Sequence, residues 1–164
     1  MKWILIVLGV LVALVAVVFV VGLLRPKSHV ASHTVVLAAA PESVWAVITD
    51  FARQPEWVPQ ISRVEAAGER DGMPQWREWF DGFEATVVIR TSDPPRLLVK
   101  EILPTGPFHG SWTWELSPEG TGTRLTITER GTVENPFFRG MMVFHDNTKS
   151  ARDYAAALER RLGS

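Results

Sequence analysis

The apolar and polar positions of this chain change pattern near residue 25. Residues 3–24 form an unbroken apolar run without a charge, a proline or a polar side chain. A helix of this length, at about 1.5 Å per residue, matches a bilayer core of about 30 Å. A cleaved signal peptide would have a shorter apolar core and a small-x-small cleavage site, which residues 25–29 do not offer. The pattern therefore predicts a single-pass membrane anchor over residues 1–25 that contacts the lipid bilayer through residues 3–24.

The middle of the chain alternates between apolar and polar positions in short runs. A polar linker is expected over 26–32, followed by a β-rich segment and a short helix that begins at Pro41. A second short helix is expected over 51–57. Turn signals such as Asp81-Gly82, which favours a two-residue hairpin, separate the later runs into an antiparallel meander. The expected strands lie near 33–39, 61–68, 74–80, 83–91, 96–103, 108–117 and 123–133.

The C-terminal segment has the periodicity of one long amphipathic helix. Asn135 and Pro136 are typical of a helix start, and Gly163 is typical of a helix end. Between them, apolar or small residues recur every three or four positions, which predicts a stripe that packs on the sheet. The stripe consists of Phe137, Met141, Phe144, Thr148, Ala151, Ala155, Leu158 and Leu162.

Charge and composition exclude several classes of function. All 18 acids and 16 of the 17 bases follow residue 24, which gives a net charge of −2 and no support for nucleic-acid binding. There is no cysteine and there are four scattered histidines, so we expect no metal. There is also no glycine-rich phosphate loop, and we expect no cofactor. Lys2 nearly balances Arg25 and Lys27 across the apolar run, which leaves a slight preference for the cytoplasmic side.

Three short segments carry a resemblance to a known superfamily. They are residues 39–51 (AAPESVWAVITDF), 57–59 (WVP) and 122–126 (GTRLT). In these residues and in element order the chain resembles the START/Bet v1-like (SRPBCC) superfamily, and within it the polyketide cyclase/dehydrase and lipid-transport branch. The resemblance implies an α+β helix-grip domain over 33–164. In such a domain, a curved seven-stranded antiparallel sheet surrounds a long C-terminal helix and a deep apolar cavity lies between them.

The inward phase of the strands and the start of the last helix carry many aromatic side chains. These side chains, with flexible methionines, are suited to an adaptable wall around an apolar ligand. The alternative is that they only fill a core. The predicted ligand-binding residues are Trp76, Phe80, Phe83, Val87, Trp112, Trp114, Ile127, Phe137, Phe138, Met141, Phe144 and His145.

Three glutamates share the inward phase, where a purely structural core would avoid them. Glu129, Glu101 and Glu78 alternate with apolar residues. Burial disfavours an ionised carboxyl group and can tune it for proton transfer, so Glu129 and Glu101 are candidate acid/base residues. The alternative is that each carboxylate lies near a strand end, or binds a water or an arginine partner, for which Arg77 and Arg90 are candidates.

The histidines offer one further candidate. His145 borders the apolar stripe of the C-terminal helix, although Asp146 lies on the solvated face and cannot form a dyad with it. His109 falls in the outward phase of its strand. His29 and His33 are expected to be exposed near the linker.

Three functional hypotheses follow from these patterns. The first is a membrane-anchored, non-catalytic domain that binds a hydrophobic small molecule, such as a lipid, an isoprenoid or a polyketide-like compound. The second is a cyclase or dehydratase that uses Glu129 or His145 as acid/base. The third is an interaction module that regulates a membrane protein, which predicts a filled core without a sizeable cavity.

Overall fold

The computed structural model describes residues 2–104, 108–142 and 146–163. Apart from a short 3₁₀ helix, the described elements are four α-helices and seven strands. In chain order they are α1 (Lys2–Leu24), β1 (Ser28–Leu37), α2 (Pro41–Thr49), the 3₁₀ helix (Phe51–Glu56), β2 (Ile61–Arg70), β3 (Met73–Phe80), β4 (Phe83–Asp93), β5 (Leu97–Ile102), β6 (Phe108–Glu119), β7 (Gly122–Val133), α3 (Pro136–Met141) and α4 (Lys149–Leu162).

All seven strands form one antiparallel sheet in the order β1-β7-β6-β5-β4-β3-β2. Asp81 and Gly82 both have positive φ, 46° and 82°, and make the predicted two-residue hairpin between β3 and β4. The strand register shifts in β2 and, between Ile89 and Thr91, in β4. Such shifts mark bulges, which bend strands and increase their twist. The predicted helix-grip fold is thus confirmed.

The first strand begins earlier than its hydrophobic pattern indicates. β1 starts at Ser28, so residues 28–32 are strand rather than linker. Hydroxyl pairs across the edge of the sheet join Ser28 to Thr132 (2.9 Å) and Ser32 to Thr128 (3.0 Å). This part of the strand is held by polar pairs on its exposed face. It therefore lacks the apolar alternation from which a strand is predicted.

The ends of the C-terminal segment are those predicted. The Asn135 side chain accepts a hydrogen bond from the backbone N–H of Phe137 (2.8 Å) and caps α3. Gly163 has φ 74° and ends α4 in the left-handed conformation.

The expected single helix is divided into α3 and α4. Asp146 stands before α4, and its Oδ1 accepts from the backbone N–H (2.9 Å) and hydroxyl (2.7 Å) of Thr148. These bonds, with a third from Arg152, lower the pKa of Asp146 to about 2. Side-chain bonds of this kind compete with a continuous helical ladder. Phe144 and His145 lie outside the described residues.

The core lies where α2 and α4 cover the sheet. Val44 and Ile48 of α2 and Leu158 of α4 are fully buried against strand residues such as Leu125 and Trp114. This layer of helix on sheet buries the apolar stripe of α4 and the inward face of the last two strands.

Helix α1 stands apart from this core. It is long and apolar enough to span a membrane, and its side chains are largely exposed. It meets the rest of the chain at α3, through Gly22 near its C-terminal end.

We predict that Leu158→Ala lowers the free energy of unfolding by about 3 kcal/mol, because it leaves a cavity at a fully buried position. Leu162→Ala removes the same atoms from a half-buried position of the same helix and should cost only about 1 kcal/mol. Denaturant unfolding of the full chain in detergent micelles measures both values. Equal losses for the two variants would contradict this packing of α4.

Candidate functional site

A cavity of about 290 Å³ lies between the concave side of the sheet and α4. Strands β3 to β7 supply most of its wall, and the segment before β2 contributes Val58 and Gln60. Ser150 and Tyr154 line it from α4, and Met142 lines it from the residue after α3. The site is therefore built between the sheet and the two C-terminal helices.

Four of the predicted ligand-binding residues line this cavity. Those from the start of β4 and from β6 have an inward phase that was read from alternation, whereas β3 carries tryptophans on both faces and its phase was ambiguous. The four residues are Phe80, Phe83, Trp112 and Trp114.

Three predicted strand residues share the inward phase but contribute to the core instead. Val87 and Ile127 are completely buried away from the cavity. Trp76 packs on Phe51 of the 3₁₀ helix, with ring centroids 5.4 Å apart. Sharing a face of the sheet does not place a residue at the cavity, because α2 and the 3₁₀ helix cover part of that face.

The predicted residues of α3 do not line the cavity, but two of them are joined to its wall by ring contacts. Phe138 packs against Phe108, a cavity-lining residue, with centroids 5.9 Å apart, and Phe137 packs on Phe138. Met141 is 60% exposed and does not line the cavity, whereas Met142 does. The helix ends at Met141, so the helical phase that favoured Met141 stops there.

The inner part of the cavity contains a buried ion pair. Lys100 Nζ donates to both carboxylate oxygens of Glu78, at 3.0 and 2.8 Å, and the two side chains belong to residues only 6% and 4% exposed. The ammonium group also lies 5.6 Å from the centroid of the Trp114 ring. Glu78 thus has the inward orientation that was predicted, but its partner is neither of the arginines considered.

Lys100 was missed because the phase of β5 was assigned to the wrong face. Leu98 and Lys100 are buried, and Glu101 faces outward, where it pairs with Arg90. The prediction that Glu101 is an acid/base residue of the cavity is therefore wrong. β5 has apolar residues on both faces, so its phase cannot be read from hydrophobicity, and a shift of one residue exchanges the faces.

Tyr154 places a second buried polar group at the cavity. Its ring packs on Trp57 (5.2 Å) and Trp114 (5.6 Å), and its hydroxyl has no hydrogen-bond partner within the described ranges. Burial, assisted by the negative charge of Glu78, raises the pKa of Tyr154 far above its ordinary value. The hydroxyl therefore remains a donor at any physiological pH. The sequence contained a signal for Tyr154, which falls between Ala151 and Leu158 at helical spacing.

Glu129 lines the cavity from β7 and is only partly paired. One carboxylate oxygen lies 3.5 Å from Nε2 of His29, and the other is buried without a hydrogen-bond partner in the described part of the chain. His29 was expected in an exposed linker, but it lies in β1 opposite Gly131 and also lines the cavity.

His109 also lines the cavity, although the strand alternation predicted an outward position. The neighbouring Gly110 has φ 154°, and a Cβ there would lie 1.9 Å from the carbonyl oxygen of Arg130. This close approach of β6 and β7 requires glycine at position 110. His109 Nε2 lies 3.7 Å from a carboxylate oxygen of Glu134.

The sheet, the C-terminal helix and the apolar cavity with few polar groups define a ligand-binding or cyclase-type domain of the START/Bet v1-like (SRPBCC) superfamily. The family described as "Polyketide cyclase / dehydrase and lipid transport" matches residues 28–163, and the chain belongs to this family. No protein among those with curated descriptions matches the chain significantly.

Solved structures share this fold at low sequence identity. The Zhui aromatase/cyclase from Streptomyces sp. R1128 has a TM-score of 0.70 and 22% identity, with coverage of 83% of this chain and 94% of that one. A START superfamily protein from Mycobacterium smegmatis has a TM-score of 0.65 and 21% identity, and the match covers 82% of this chain and 97% of that one. Truncated norcoclaurine synthase from Thalictrum flavum has a TM-score of 0.64 and 18% identity, and the match covers 82% of this chain and 93% of that one. These neighbours support the fold of the present chain.

We predict that Lys100→Met destabilises the protein by about 3 kcal/mol, because it leaves the Glu78 carboxylate buried without its partner. The double variant Glu78→Met/Lys100→Met should recover most of this loss, since it removes both charges. Denaturant unfolding of the full chain in detergent measures the free energies of unfolding. A double variant as unstable as the single one would show that the pair is not coupled in this way.

Proposed function

We propose that this protein is a membrane-anchored domain that binds a hydrophobic small molecule in the cavity between the sheet and α4. The observation that carries the proposal is a largely apolar cavity with a few polar groups inside it. Cavities of this kind, with apolar walls and a few placed polar groups, are typical of small-molecule sites. The same observation disfavours a pure interaction module, for which a filled core was expected.

The polar groups indicate what the ligand carries. The Lys100 ammonium has three N–H groups, and its bonds to the two oxygens of Glu78 leave one available. The Tyr154 hydroxyl is a second donor, without a partner among the described residues. A hydroxyl, carbonyl or carboxylate oxygen of the ligand can accept from either of these cavity-lining groups while its apolar part contacts Trp112 and Phe80. A lipid-, isoprenoid- or polyketide-like compound meets these requirements.

The anchor in this proposal is α1. Only residues 25–27 separate it from β1, so the binding domain is held close to the end of the apolar helix. We assign α1 as a single-pass membrane segment and place the domain on the cytoplasmic side, in keeping with the flanking charges.

Native mass spectrometry of the full chain, extracted in mild detergent, tests ligand binding. We expect an adduct of lipid-range mass in the wild-type protein, and its loss in Ser150→Trp, because a large ring at this cavity-lining position fills the space. The matched control is Ser117→Trp, on an exposed part of β6 outside the cavity, which should keep the adduct. Empty wild-type protein, with no lipid able to raise its thermal midpoint, would overturn the proposal.

An enzymatic alternative rests on Glu129. Its partly unpaired carboxylate lines the cavity and could transfer a proton in a cyclisation or dehydration. If the protein only binds its ligand, a poly-β-ketone incubated with Glu129→Gln or with Glu101→Gln should be recovered unchanged, without the loss of water that cyclisation and dehydration cause. Mass analysis of the products decides between the two functions. Turnover by the wild type and Glu101→Gln, but not by Glu129→Gln, would establish the enzyme.

A further inference from the structure

Helices α1 and α3 touch at the level of their backbones. A Cβ on Gly22 would lie 1.6 Å from the carbonyl oxygen of Pro136, and a Cβ on Gly140 would lie 2.0 Å from that of Val18. No side chain larger than hydrogen fits at either position without moving a helix. Such mutual approach through glycines is typical of close helix pairs in membranes.

Arg139 joins α1 and α3 to the end of the sheet. The buried guanidinium donates from Nε to the carbonyl oxygen of Gly22 (2.9 Å) and from Nη1 to those of Val133 (2.9 Å) and Glu134 (2.7 Å). Its charge is thus turned toward carbonyl dipoles inside the protein. These bonds fix the orientation of α1 relative to the binding domain.

The contact lies within the apolar length of α1. Val18 precedes the last residue of α1, Leu24, by six positions, which corresponds to about 9 Å along the helix axis. If α1 spans the bilayer, α3 therefore lies at the depth where headgroups meet acyl chains. The exposed side chain of Met141 fits such surroundings, because lipid would cover it.

The same helix contacts the wall of the cavity through aromatic rings. Ring contacts run from Phe137 through Phe138 and Phe108 to Phe83, at centroid distances of 6.2, 5.9 and 6.0 Å. Phe108 and Phe83 line the cavity, and Phe83 at the β3–β4 hairpin is partly exposed. The rim between α3 and this hairpin is therefore aromatic.

We propose that the cavity opens laterally into the bilayer, so that its ligand is a membrane-resident amphiphile that enters from the leaflet rather than from water. The inference rests on the proposed anchor and cavity, and it adds the surface through which they are connected. Helix α3 lies in the membrane interface as the lower edge of this opening. The polar group of the ligand reaches Lys100 and Tyr154, while its apolar part passes the phenylalanine rim.

Depth-dependent quenching tests the docking of α3. The chain has no cysteine, so Met141→Cys accepts a single polarity-sensitive fluorophore. In phosphatidylcholine vesicles we expect its emission to shift to the blue and to be quenched by lipids brominated near the headgroup end of the acyl chain. Val36→Cys is the matched control, because Val36 is also exposed but lies about 26 Å along β1 from its anchor-proximal end. The control should show neither effect.

A pair of glycine substitutions tests the role of the α1–α3 contact. Gly140→Leu should separate the helices, abolish the quenching at position 141 and slow the loading of lipid from vesicles. Gly9→Leu makes the same change at an α1 position with no atom within 4 Å of an added Cβ, and it should leave both readouts unchanged. Slower loading by Gly9→Leu as well would argue against a specific contact.

The outcomes separate this inference from the proposed function. If the labelled protein resists alkaline extraction from the vesicles but positions 141 and 36 are quenched equally, the lateral opening is wrong and the anchor stands. If position 141 is quenched but no lipid adduct is found in detergent, the docking stands and ligand binding is wrong. If the protein is released by alkaline extraction, the anchor and the opening are both wrong.

Discussion

The pairing of the first strand with the last holds this molecule together. β1 runs antiparallel to β7 from Ser28 opposite Thr132 to Leu37 opposite Thr123, although the partners are about a hundred residues apart in the chain. This pairing brings the end of α1 to the start of α3, places His29 beside Glu129 and puts α2 over the same sheet face as α4. Because the contact is so distant in sequence, its loop-closure entropy must be overcome before the cavity can exist.

The polar groups inside the cavity are not explained by stability. A buried ion pair such as Glu78 with Lys100 is often no more stabilising than well-packed apolar residues of similar volume. A buried tyrosine hydroxyl usually finds a partner, and that of Tyr154 has none among the described residues. Under the proposed function these groups have a common purpose, because each can donate to an oxygen of a bound ligand in surroundings that exclude water.

Under the proposed function, the contact between α1 and the binding domain has consequences for the ligand. A flexible tether would let the domain rotate freely above a membrane, whereas Arg139 and the glycine contacts fix it to α1. The aromatic contacts from Phe137 to Phe83 are thereby joined to α1 through α3. A membrane-resident ligand on this route would not need to expose its apolar surface to water, which is unfavourable by about 25 cal/mol per Å².

Local pattern was sufficient for much of the fold. Alternation, turn residues and helix caps depend on neighbouring residues, and they correctly predicted the seven strands, the Asp81–Gly82 hairpin, the Asn135 cap and the inward orientation of Trp112 and Trp114. They failed where the signal was ambiguous or long-range. The phase of β5 could not be read from a strand that is apolar on both faces. The polar strand segment 28–32 is defined by hydroxyl pairs with β7.

The sequence by itself determined the apolar helix, the element order and the aromatic character of the site, because each depends on the type and spacing of nearby residues. Only the tertiary structure decided that Lys100 is the partner of Glu78, that Tyr154 joins them at the cavity, and that α3 packs on α1. These contacts join residues that are far apart in the chain, and nothing in the local pattern of one partner specifies the position of the other.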